Sequence, residues 1–186
     1  MKALVLLALL SLGACAADAS GDANWHGTVK RDGDPPLTMI GFDPFPVQGF
    51  EFGGGIATMG YLDDHGSKLL AEIILQFAGP DDFERMKSQG FPITLNLADV
   101  FTGGAAGMGI DYFEQPASKA GSGSQAQTFH HEFDQHQTGT VSGTFTVTAC
   151  DYVTFMDGHL QATVMDPSRG SATRMLDFQV HYSDNK

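Results

Sequence analysis

Apolar side chains recur at every second position along much of this chain, in short runs separated by polar and glycine-rich stretches. In residues 129–136 Phe129, His131 and Phe133 share one face, while His130, Glu132, Asp134 and His136 share the other, because successive strand side chains point to opposite sides of a sheet. Val141, Gly143, Phe145 and Val147 alternate in the same way with Thr140, Ser142, Thr144, Thr146 and Thr148. Matching the two apolar faces predicts a β-hairpin over residues 125–150, with Phe133 opposite Val141, His131 opposite Gly143 and Phe129 opposite Phe145. Further strands are expected at 25–30, 56–62, 91–97, 110–114 and 176–182. A second hairpin is expected from 152–155 and 159–165 around Met156-Asp157-Gly158-His159, where Asp-Gly suits a tight turn. Residues 68–77 fit both periods, since Leu69, Ile73 and Phe77 make a helical stripe and Leu69, Ala71, Ile73, Leu75 and Phe77 alternate strictly. The β-branched Ile73 and Ile74 and the preceding Asp63-Asp64-His65-Gly66 turn favour a strand.

The connecting stretches carry turn chemistry. RDGDPP at 31–36 reads as a turn, and 37–52, with its prolines and aromatics, as a broken or edge strand with ordered loops. Residues 80–89 place acids early and bases late, as one or two helical turns would. Residues 115–125 form a Ser-, Gly- and Ala-rich connection, and 166–173 a loop. The sum is an all-β chain of about nine strands with at most one short helix, an antiparallel β-sandwich or flattened barrel.

The N-terminus changes the setting of this domain. MKALVLLALLSLGAC places Lys2 before an apolar run, then small residues ending at Cys15. That is a signal-peptide pattern, and the run is shorter than the roughly 20 residues of a membrane-spanning helix. Leu12-Gly13-Ala14-Cys15 resembles the bacterial lipobox, in which a signal peptidase cuts before a cysteine that has received a lipid. The resemblance implies a mature chain beginning at a lipidated Cys15 and anchored in a membrane through its acyl chains. Each buried CH₂ adds about 0.8 kcal/mol, so several chains give a stable anchor. Ala16 after the cysteine implies, by the sorting rules of two-membrane bacteria, an outer-membrane or cell-surface destination. Ordinary secretory cleavage after Ala16 is the alternative. The expected organisation is a signal peptide at 1–14, a lipidated cysteine and short tether at 15–24, and a single β domain at 25–186.

Charge and cysteine content narrow the function classes. The full chain carries a formal charge of −12. Loss of residues 1–14 removes Lys2 and leaves nine basic against 22 acidic residues, hence −13. Such a surface repels nucleic-acid phosphate, so no nucleic-acid role is expected. Besides Cys15 there is only Cys150, which excludes a disulfide framework within the chain. The run Gly139-Thr140-Val141-Ser142-Gly143-Thr144-Phe145, with Val153 to Gly158 after it, resembles the C-terminal part of a group of uncharacterised bacterial lipoprotein β-domains. That resemblance implies an antiparallel β fold and transfers no activity.

The sharpest chemical candidate is the polar face His130, Glu132, Asp134 and His136. Imidazole and carboxylate together suit zinc or copper, and ligands at i and i+2 can reach one ion. Four such residues span too much strand for one ion, which would use a neighbouring pair and ligands from elsewhere. A hydrated face of a half-buried strand gives the same pattern. His131, on the apolar face, reads as a packed core histidine. The glycine-rich 103–109 lacks the Lys-Ser/Thr of a P-loop, and the pairs Asp32/Asp34, Asp63/Asp64 and Asp81/Asp82 lack calcium-loop spacing. Phe42, Phe45, Phe50 and Phe52 are expected to close one end of the core or to line a site between sheets. Three readings stand: a noncatalytic, lipid-anchored binding or structural module whose partner is an envelope protein or small molecule; a zinc- or copper-binding periplasmic protein; and a hydrolase with a site assembled from distant loops.

Overall fold

The computed structural model describes residues 22–44, 55–64, 67–77, 88–99, 107–119, 122, 124–133, 139–150 and 155–183. Ten strands are assigned: β1 (Asp22–Arg31), β2 (Leu37–Pro44), β3 (Gly55–Asp64), β4 (Ser67–Phe77), β5 (Ile93–Asn96), β6 (Met108–Pro116), β7 (Phe129–His131), β8 (Val141–Cys150), β9 (Phe155–Asp166) and β10 (Ala172–Ser183). They form one antiparallel sheet in the order β5-β8-β9-β10-β1-β2-β3-β4-β6-β7. The all-β expectation holds, and the sheet curls into a half-barrel. The ladder between β1 and β2 is short, running only Thr28 to Thr38 and Val29 to Leu37, and it joins two five-strand halves. Their inner faces share one core, in which Tyr112, Phe129, Phe145 and Phe178 are fully buried.

Several expected elements appear as read. Residues 67–77 are strand, with Ala71, Ile73 and Leu75 buried, and β3 and β4 pair up to Asp64 opposite Ser67. In β5 Ile93 and Leu95 face the core, while Phe91 before the strand is exposed. Leu176, Phe178 and Val180 of β10 point inward, and Asp177, Gln179 and His181 outward. The turn after β1 closes through Asp34 N–H to the Arg31 carbonyl at 3.1 Å, with Gly33 at φ 82°. Residues 37–44 form an internal strand rather than an edge, its ladder to β3 broken between Ile40 and Asp43. The connection after β6 holds two 3₁₀ turns, Ala117–Lys119 and Ser124–Ala126. Of the expected helical segment at 80–89, residues 80–87 lie outside the described residues.

Both expected hairpins are corrected. β7 pairs with β6, His131 opposite Tyr112 and Phe129 opposite Glu114, while β8 lies between β5 and β9. Phe129 and His131 are buried as expected, because facing follows from alternation; pairing does not, and two strands with matching faces need not be neighbours. Asp157-Gly158 makes no turn either: β9 runs unbroken through it, with Gly158 opposite Val147 on β8 and Val180 on β10. The glycine serves packing. A Cβ at Gly158 would sit 2.5 Å from Cζ of Phe145, so the ring of that core residue occupies the space a side chain would take.

The two halves are tied across the interior by charge. Arg174 on β10 donates from Nε to Glu114 Oε1 at 2.7 Å and from Nη2 to Oε2 at 3.0 Å, a bidentate pair. Glu114 sits on β6, five strands away in the sheet, and is 1 % exposed. Tyr112 donates its hydroxyl to Oε1 at 2.8 Å, and the Phe129 ring lies under the guanidinium, 4.3 Å from its centroid. Burial, then the charge of Glu114 and the bond to it, hold the Tyr112 phenol well above its ordinary pKa, so it stays a donor. Arg31, opposite Arg174 in the β1–β10 ladder, places Nη2 2.9 Å from Asp64 Oδ1, off the hydrogen-bond direction.

A seam closes the curl along its edges. Leu97 N–H extends the β5–β8 ladder to the Gly143 carbonyl at 3.0 Å, and Ala98 N–H crosses to the Met108 carbonyl on β6 at 3.0 Å. Asp99 accepts from Gly139 N at 2.8 Å, Val141 N at 2.9 Å and the Thr140 hydroxyl. At the other edge His130 N–H donates to Asp166 Oδ2 at 2.9 Å, and His131 donates from Nδ1 to the Met165 carbonyl at 3.0 Å. Burial pushes the His131 pKa down, which keeps the ring neutral and leaves Nε2 a buried lone pair without a hydrogen-bond partner.

The Glu114–Arg174 pair yields a prediction. Glu114→Gln and Arg174→Met each strand a buried charge or its remaining donors, and each is expected to lower unfolding free energy by about 3–5 kcal/mol. The double variant Glu114→Gln/Arg174→Met is expected to cost less than the sum, as urea titrations in a double-mutant cycle will read.

A candidate site on the outer face of β4, β6 and β7

The polar residues expected to carry chemistry are divided by the structure. His130 lies on β7, half-buried, its ring edge-on to Phe113 with centroids 6.5 Å apart at 83°. Glu132 is exposed just beyond the strand. Asp134, His136 and Cys15 lie outside the described residues, as do Phe45, Phe50, Phe52, Asp81 and Asp82 and residues 103–106 of the glycine-rich stretch. Because β7 joins β6 and not β8, the neighbours of His130 are Phe113 and Asp111 rather than the threonines of β8.

Asp111 is the centre of this corner. On β6, Met108, Ile110, Tyr112 and Glu114 fill the interior, so alternation turns Asp111 and Phe113 outward. The Asp111 carboxylate accepts the Phe133 N–H at Oδ1 and Gln76 Nε2 at Oδ2, 3.3 Å away. It thereby fastens the turn after β7 to the body of the sheet. The Phe133 ring covers Gly109, where a Cβ would lie 2.6 Å from Cδ2 of the ring. Only glycine at 109 lets that ring close over the strand.

Partial burial under this cover pushes the Asp111 pKa up to about 6. The Phe133 N–H opposes the rise, the charge of Glu132 adds to it, and His130 opposes it. Glu72, on β4 opposite Phe113, is also raised, first by burial and then by the charge of Asp111. Two carboxylates with raised pKa values and an imidazole thus share one face, the kind of grouping that proton transfer or cation binding uses. Among the described residues no three His, Cys, Asp or Glu side chains are set around one point as ligands for an ion.

Sequence reasoning missed Asp111 and Glu72. Alternation alone places both on outer faces, but their nearness to His130 exists only through the β4–β6–β7 ladders. No protein-family model matches the chain, no curated protein matches its sequence, and no solved structure matches it.

A raised carboxylate pKa means that the folded chain binds this proton more tightly than the unfolded chain. Stability contributed at Asp111 therefore falls as pH rises from about 4 to about 6 and is flat above. The span corresponds to about 2 kcal/mol after allowance for partial exposure. Asp111→Asn, which keeps an acceptor for Phe133, is expected to stabilise the chain relative to the parent at pH 7 and to lose that advantage at pH 4. Urea midpoints measured across this range check it.

Proposed function

We propose that this chain is a lipid-anchored bacterial envelope protein whose β domain acts as a noncatalytic binding or structural module. The observation that carries the reading is Leu12-Gly13-Ala14-Cys15 directly after the apolar run of a signal peptide. A ten-strand curled sheet with aromatic side chains filling its interior suits this role, since such a domain meets partners through its outer faces and edges. The anchor sets the domain at the outer membrane or cell surface, and its acidic character keeps it off nucleic acid.

The test is metabolic labelling of the full chain with an alkyne fatty acid, followed by detergent phase separation. The parent is expected to take the label and enter the detergent phase, and Cys15→Ala to lose both properties. A Cys15→Ala chain that still labels and partitions with detergent overturns the anchor.

A second reading, binding of zinc or copper, is favoured by the position of His130 and Glu132 beside Asp111. It expects a stoichiometric ion in protein purified without a tag, lost on His130→Ala or His136→Ala. Elemental analysis after loading with either metal decides it.

A further inference from the structure

A groove of about 290 Å³ crosses the outer face of β8, β9, β10 and β1, on the half of the sheet away from Asp111. It is lined by His26, Thr148, Asp157, Gln179 and His181, with backbone of Gly158 and Val180 at its floor. His181 and Asp157 are direct cross-strand partners, and His181 donates from Nδ1 to Asp157 Oδ1. A carboxylate accepting that proton fixes the tautomer: Nδ1 carries hydrogen and Nε2 presents its lone pair. Ligating histidines in metal sites are held in this way, with the second nitrogen donating to a carboxylate that orients the ring and raises its basicity.

The second imidazole comes from the neighbouring strand. His26 on β1 is opposite Gln179, two residues from His181 on β10, and both side chains are exposed on the same face. Diagonal neighbours of this kind have Cα atoms about 7–8 Å apart, a span that two imidazoles bridge through an ion at the roughly 2 Å of a metal–nitrogen bond. The groove therefore joins an oriented imidazole to a second one on an adjacent rigid strand.

We propose that this groove is a two-imidazole site for a divalent zinc or copper ion, with His181 and His26 as ligands, Asp157 as the positioning residue for His181, and water or an incoming ligand completing the coordination. Two nitrogen donors select borderline transition metals over calcium or magnesium, which take oxygen. The site has open coordination positions, so an ion held here can be passed on or can bridge to a second molecule. It is separate from the His130 corner and independent of the lipid anchor.

The test is titration of the tag-free full chain with Zn²⁺ by isothermal calorimetry, with two-bond ¹H–¹⁵N spectra of the imidazoles recorded alongside. One ion is expected, shifting the ring nitrogens of His181 and His26. His181→Ala abolishes this binding, His26→Ala weakens it, and Asp157→Ala weakens it about tenfold or more, as loss of an orienting carboxylate does. His130→Ala leaves it intact. These side chains are exposed and their variants are expected to fold, which thermal unfolding verifies. No zinc-dependent heat, or binding that survives His181→Ala, or shifts confined to His130 and His136, overturns the proposal.

Discussion

The bidentate pair between Arg174 and Glu114 is the constraint around which the half-barrel is arranged. β10 and β6 are five strands apart in the sheet, and only a tight curl brings a guanidinium on one within 3.0 Å of a carboxylate on the other. Both groups have left water, so the desolvation cost is recovered only in one geometry, with the Tyr112 hydroxyl and the Phe129 ring supplying the remaining contacts. An apolar core tolerates some sliding between layers. A buried fork with three hydrogen bonds to one carboxylate does not. The pair thus contributes less to net stability than to fixing how far the two halves stand apart.

With the interior committed to packing and to this pair, the chemistry left over lies on the outside. The seam residues Asp99, His131 and Asp166 spend their polar groups on backbone donors and acceptors at the sheet edges, which satisfies buried groups that a half-open barrel would otherwise strand. The outer face carries two groups of different character. Around Asp111 the carboxylates are partly covered, and the protonation of Asp111, whose pKa is pushed up to about 6, is tied to stability. Around His181 the groups are open to solvent, and a carboxylate holds an imidazole in place. The first is a feature of how β7 is fastened; the second is suited to meeting something from outside.

Gly158 and Asp157 show how one dipeptide serves both sides of the sheet. The missing Cβ of Gly158 admits the Phe145 ring on the inner face, and Asp157 holds His181 on the outer one. Read in sequence, Asp-Gly is a turn signal, because both residues tolerate the backbone such turns require. In the fold it is the middle of a twelve-residue strand. The same local chemistry answers a packing demand that no local pattern reveals.

Alternation along each run decided that the chain is β, which residues face inward, and that His131 is a core histidine, because facing has a period of two that is written in the residues themselves. The ambiguous 68–77 resolved to strand by the same logic, helped by Ile73 and Ile74. Which strand lies beside which was not legible in local order: 125–150 looked like a hairpin because its two apolar faces match, yet β7 is one edge of the order and β8 lies next to the other, between β5 and β9. Pairing is settled by the global curl, by ladders such as β6 with β7, and by the Arg174–Glu114 link, each joining residues far apart in the chain. The neighbours of His130, and the meeting of His26, Asp157 and His181 in one groove, depend on that pairing, so only the tertiary structure could decide them.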